Sequence, residues 1–174
     1  MTLPKRLTGV VALAATTASL AAPAMATVKA GERTFQQTYP VASRVCTEVV
    51  AGKRKHLQRF RTRVLADCAL LESGFIAAQS TALAARASIT AAIAADRAAI
   101  TTACPPPSAG LPACESTRSS EQLAIKALQL QQVQAAHRFY VTIETNRRHF
   151  WSAIRALPGE RHLHGDTPIA QQNG

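Results

Sequence analysis

Acidic side chains and aromatic rings are both scarce in this sequence. Its 174 residues hold 10 Asp+Glu against 20 Lys+Arg, and aromatics make up 5%, with a single Trp. So few rings exclude a Trp-rich sandwich. With only 8 Gly and 9 Pro, clustered rather than spread, collagen and Gly/Ser linkers are excluded and a β-rich fold is disfavoured. Catalytic signatures are missing as well. There is no G-x-S-x-G, H-E-x-x-H or P-loop, and no pair of carboxylates with a reason to converge. An enzyme of unrecognised type is therefore the remote alternative, and no cofactor and no metal site are expected.

What the sequence has in quantity is alanine, at 35 residues. The first 26 residues read as a cleaved signal peptide. Lys5 and Arg6 form a positive n-region, Leu7 to Ala22 is an uncharged apolar run, and Pro23-Ala24-Met25-Ala26 offers small residues at −3 and −1. The run is short for a bilayer span, which needs roughly 20 residues. Beyond it no stretch is expected to cross a membrane, because Arg86, Asp96 and Arg97 interrupt the Ala-rich run from Ala82 to Ala103. The implied location is secreted, periplasmic or in the cell envelope.

The remaining pattern is helical. Residues 27–37 are expected to be a flexible lead-in. Thr38-Tyr39-Pro40 starts a short helix, about 38–51, that Gly52 ends. A basic connector follows. Val64, Cys68, Leu71, Phe75, Ala78, Ala82, Ala85, Ile89 and Ala92 then recur at alternating steps of four and three, the spacing of a coiled-coil seam. Cys104 and the three prolines after it stop this helix. Ser119 or Ser120 caps another that runs to about Leu157. Residues 158–174 are expected to be a polar, disordered tail. The fold class is all-α: a long antiparallel helical hairpin plus a short N-terminal helix, one helical domain over 38–157. Aromatic residues gather at its three-helix base, and the far end is a thin arm of Ala with a few Ile.

Four Cys in a small exported chain read as two disulfides. Cys68 and Cys104 lie on one helix about 54 Å apart at 1.5 Å per residue. A disulfide needs Cα atoms within about 7 Å. Pairings that span the arm fail, which leaves Cys46–Cys68 and Cys104–Cys114.

The strongest non-structural signal is basic. Lys53, Arg54, Lys55, Arg59, Arg61 and Arg63, with His56, fall in one short stretch, and the hairpin brings Arg147, Arg148, Arg155 and Arg161 towards the same end. Such a patch attracts an anionic polymer or an anionic lipid surface by counterion release, although an Arg-rich face also serves simply to solubilise. The main expectation is an exported non-enzymatic protein binding an anionic partner there. The alternative is a carrier of small apolar ligands, with Tyr39, Tyr140 and Trp151 lining a pocket. The Ala-rich arm is a candidate surface for a second copy of the chain. His162, His164 and Asp166 form an H-x-H-x-D stretch without a fourth ligand and are assigned to the tail, while His137 and His149 are taken as packing or surface residues.

Overall fold

The computed structural model describes residues 33–106, 110–161 and 163–168. The signal-peptide assignment to residues 1–26 lies outside these. Among the described residues all regular structure is helical, in the order α1 (Phe35–Thr38), α2 (Pro40–Val50), a 3₁₀ helix (Lys55–Phe60), α3 (Arg61–Ala103) and α4 (Pro112–Arg155).

The short helix starts later than expected and has a helical turn before it. Thr34 accepts from the Gln37 amide at 3.2 Å, and Gln37 reaches back to the Thr34 amide at 2.9 Å, a capping box. The T-x-x-Q pattern thus orders part of the segment taken as a lead-in. Phe35 comes with it and stacks edge-on against Tyr39 and Phe75, with ring centroids 5.4 and 5.9 Å away. Helix α2 then begins with Pro40 in its first turn. It ends in a Schellman motif: the Gly52 amide donates to the Val49 carbonyl and the Lys53 amide to Glu48. This places Gly52 at φ +71°, where a residue without Cβ is unstrained.

The basic connector is largely a 3₁₀ helix, with Leu57 buried at its centre. α3 follows for 43 residues. Every expected seam position, from Val64 to Ala92, is buried or half-buried on it. α4 starts at Pro112, earlier than the Ser119/Ser120 expectation. Leu111 is extended, Pro112 supplies a preset φ, and Glu115 sits in the first turn facing the positive end of the helix dipole. Cys114 is therefore helical, not part of the loop.

α3 and α4 pack as the antiparallel hairpin. Gly74 lies against Asn146, close enough that an added Cβ would sit 2.7 Å from the Asn146 Nδ2. Both disulfides form as expected, Cys46–Cys68 and Cys104–Cys114, with Cα atoms 5.9 and 5.1 Å apart. The first ties α2 to α3; the second joins the end of α3 to the first turn of α4.

The core sits at the base. Tyr39, Val45, Val49, Leu71, Phe75, Ile143, Phe150, Trp151 and Ile154 are all buried there. In the arm only Ala82 and Ile89 on α3 reach that state before the Cys114 tip, and Leu123, Leu130 and Val133 of α4 face outwards. Ala buries little area at roughly 25 cal/mol per Å², so stability is concentrated at one end. By length and composition alone, Lys55–Ala103 is apolar enough to cross a membrane: an 18-residue window has mean hydropathy 1.2, with 22% of it buried. Small Ala residues raise the mean even though large apolar side chains are few.

Candidate functional site: the basic end and its C-terminal strap

The basic connector lies at the base because α2 runs antiparallel to α3 and α4 returns beside them. The Gln58 side chain donates to the Val49 carbonyl at 3.1 Å, and Arg61 donates to the Val50 carbonyl at 3.4 Å, fixing the connector under the end of α2. Arg59 donates to the Pro158 carbonyl at 2.8 Å, joining the connector to the end of α4, and lies 4.7 Å from the centroid of the Phe60 ring. Arg54 is committed to Glu48 at 2.7 Å. Lys53, Lys55 and Arg63 are exposed. Arg63 lies near Asp67, whose carboxyl is held above the ordinary range by burial, with the Arg63 charge acting in the opposite sense.

The two arginines on α4 play different parts. The Arg147 side chain is only 12% exposed, and all three of its guanidinium nitrogens are engaged. Nε and Nη2 grip both oxygens of Glu144 at 2.8 and 2.7 Å, while Nη1 donates to the Asp166 carbonyl at 2.7 Å. The hydrogen bond to Glu144 outweighs burial and makes this guanidinium hold its proton more firmly than usual. Arg147 is thus a structural clamp. Arg148 donates to the same Glu144 through Nε at 2.9 Å, but its side chain is 73% exposed.

The largest departure from expectation lies after α4, where Glu160, Leu163, Gly165 and Asp166 dock on the base. Asp166 is 3% exposed. Its Oδ1 accepts from the Val41 amide at 2.6 Å, and its Oδ2 accepts from the Ala42 amide at 3.2 Å and the Trp151 indole at 3.1 Å. Helix α2 lacks a side-chain cap from its own N-cap residue. Asp166, some 125 positions away, supplies it. Gly165 lies flat on the indole: a Cβ there would be 2.8 Å from Trp151 Cδ2. Arg155 reaches the Leu163 carbonyl at 3.4 Å, and Glu160, also buried, lies 3.6 Å from His56. These contacts bind residues 160, 161 and 163–166 as a strap across the base. The docked part of the H-x-H-x-D stretch is thereby explained, since both Asp166 oxygens are committed to N–H donors. His162 lies outside the described residues. Among the described residues no three His, Cys, Asp or Glu side chains are grouped to hold a metal ion.

Tyr39 and Trp151, two of the residues assigned to an aromatic pocket, are 0% and 1% exposed. The Tyr39 hydroxyl donates to the Ile143 carbonyl at 2.7 Å. Burial first, then the Asp166 and Glu144 charges, push this phenol above its ordinary range against the opposing effect of Arg147. Both rings fill the core. Beside them is a shallow depression of about 400 Å³ on the outer face of α4, lined by Arg147, Arg148, Trp151, Ser152, Arg155 and Ala156.

Among the described residues the fold is a helical hairpin with two disulfides and a C-terminal segment docked on its base. No family model, no curated protein and no solved structure matches the chain. The disulfides suit an oxidising, extracytoplasmic setting.

Proposed function

We propose that the protein is exported through a signal peptide cleaved after Ala26, acts without catalysis in the envelope or outside the cell, and binds an anionic polymer or anionic lipid surface through its basic end. One observation carries this reading: three acidic groups of the base, Glu48, Glu144 and Asp166, are paired within it. Glu48 is taken by Arg54, Glu144 by Arg147 and Arg148, and Asp166 by the start of α2. The exposed side chains of Lys53, Lys55, Arg59, Arg61, Arg63 and Arg148 then present positive charge to solvent. A polyanion gains there by releasing its counterions.

The test is envelope retention of the full chain in its host at low salt and at about 1 M salt, where the screening length is about 3 Å. The expected result is release by salt, and loss of retention in the triple variant Lys53→Ala, Lys55→Ala, Arg63→Ala. Equal retention at both salts, or an unaffected triple variant, refutes the reading.

The seam along the two long helices is read as coiled-coil packing, and the arm as a meeting surface for a second copy. The outward Leu123, 67% exposed, and Leu130 support this part. Sedimentation of the chain with both changed to Ser checks it. The apolar-carrier alternative has less support, because the rings it needs fill the core.

A further inference from the structure

We propose that the depression on α4 between Arg148 and Arg155 is a binding site for a phosphate group, with Ser152 supplying the central hydroxyl. The inference rests on the reading that the basic end takes anions, and it names both the position and the ligand chemistry.

Arg148, Ser152 and Arg155 stand at i, i+4 and i+7, on one face of the rigid α4. At 1.5 Å per residue the two arginine Cα atoms are about 10 Å apart, a span their long side chains close over the serine. The donors are only partly used. Arg148 gives Nε to Glu144 and Arg155 gives Nε to the Leu163 carbonyl, and both side chains line the depression. Arg147, on the adjoining wall, has all of its nitrogens committed and serves as backing. Two guanidinium forks and a hydroxyl exceed what a carboxylate can accept with two oxygens. They match a tetrahedral oxyanion with three or more. The volume, about 400 Å³, admits a phosphate with its substituent. The only Trp of the chain, Trp151, borders the same depression and reports on it.

The experiment titrates the purified full chain at constant ionic strength with three probes: inorganic phosphate, soluble poly(glycerol phosphate) and phosphatidylglycerol vesicles. The readout is Trp151 fluorescence, confirmed by calorimetry. A saturable response is expected, weakened about tenfold or more by Arg148→Ala, since a charge-assisted contact is lost. Arg148→Lys, which keeps the charge but not the fork, recovers only part of it. Arg148 is exposed, so the variant should keep the parent melting curve. A response to inorganic phosphate assigns a free phosphate ligand, one to the polymer alone a phosphodiester chain, and one to vesicles alone a lipid headgroup. The site is refuted if Arg148→Ala alters none of the three titrations. It is also refuted if Lys53→Ala, Lys55→Ala, Arg63→Ala abolishes a response that Arg148→Ala leaves intact, an outcome under which the functional reading still stands. Phosphate binding lost in Arg148→Ala, together with salt-insensitive envelope retention, keeps the site and discards that reading.

Discussion

Replacing Asp166 with Ala tests whether the C-terminal strap belongs to the folded domain. Three donors converge on this carboxylate: the Val41 and Ala42 amides and the Trp151 indole. The Val41 amide, half-buried, can turn to water. Ala42 and Trp151 are 0% and 1% exposed, so their N–H groups are left buried without an acceptor. Each such group costs about 1–3 kcal/mol, and losing a negative cap at the start of α2 adds about 1 kcal/mol. We expect Asp166→Ala to cost about 3–5 kcal/mol, a drop in melting temperature on the order of 10 °C for a domain of this size. Asp166→Asn keeps one acceptor oxygen and should lose about half as much. Urea unfolding followed by Trp151 fluorescence and by helical circular dichroism measures both. A variant within about 0.5 kcal/mol of the parent, the range of ordinary surface changes, would falsify the docked strap.

Three further outcomes follow from the same geometry. Gly165→Ala drives a methyl into the indole ring and should dislodge the strap, costing about 1–3 kcal/mol; a urea midpoint equal to the parent's would refute this. Tyr39 titrates above its ordinary range in the folded state, so its stabilising effect is complete below about pH 10 and is lost as pH rises from there towards the folded value. Denaturation of the parent and of Tyr39→Phe at pH 8 and pH 10.5 should show a steeper loss in the parent, and parallel losses would refute this. Under stepwise reduction with alkylation and mass mapping, Cys104–Cys114 at the thin tip should open before Cys46–Cys68 in the packed base, and Cys46→Ala with Cys68→Ala should cost about 2–4 kcal/mol.

The sequence pattern conveyed the long elements well, because an apolar residue every three or four positions leaves few alternatives to a packed helix. The seam from Val64 to Ala92 and both cysteine pairs were legible for that reason. Finer points turned on local chemistry that competed with stronger signals. The Thr34–Gln37 capping box was readable but short. Pro112 fell in the loop expected before Ser119, although a first-turn proline favours a helix start. The strap had no apolar periodicity at all. Gly165 and Asp166 look like any polar tail until the indole and the uncapped start of α2 are placed beside them. The basic cluster was visible, but its division into clamps and free charges was not. Both Arg147 and Arg148 bond Glu144, and Arg147 is drawn inside by the Asp166 carbonyl, a partner 19 positions away that emerges only when the strap is placed.

The strap also sets an order of events for the growing chain. The α3–α4 hairpin closes across a short loop, so it can zip as soon as residues near 150 have been made. The cap on α2 must wait for Asp166, about 125 positions later, and until then the start of α2 and the Trp151 indole lack their acceptor. Closing so long a loop is a slow, non-local step, in company with the Tyr39–Ile143 and Arg59–Pro158 contacts, which span 104 and 99 positions. The base is therefore the last part to become rigid, and its charged face acquires its final shape only as synthesis reaches the end of the strap.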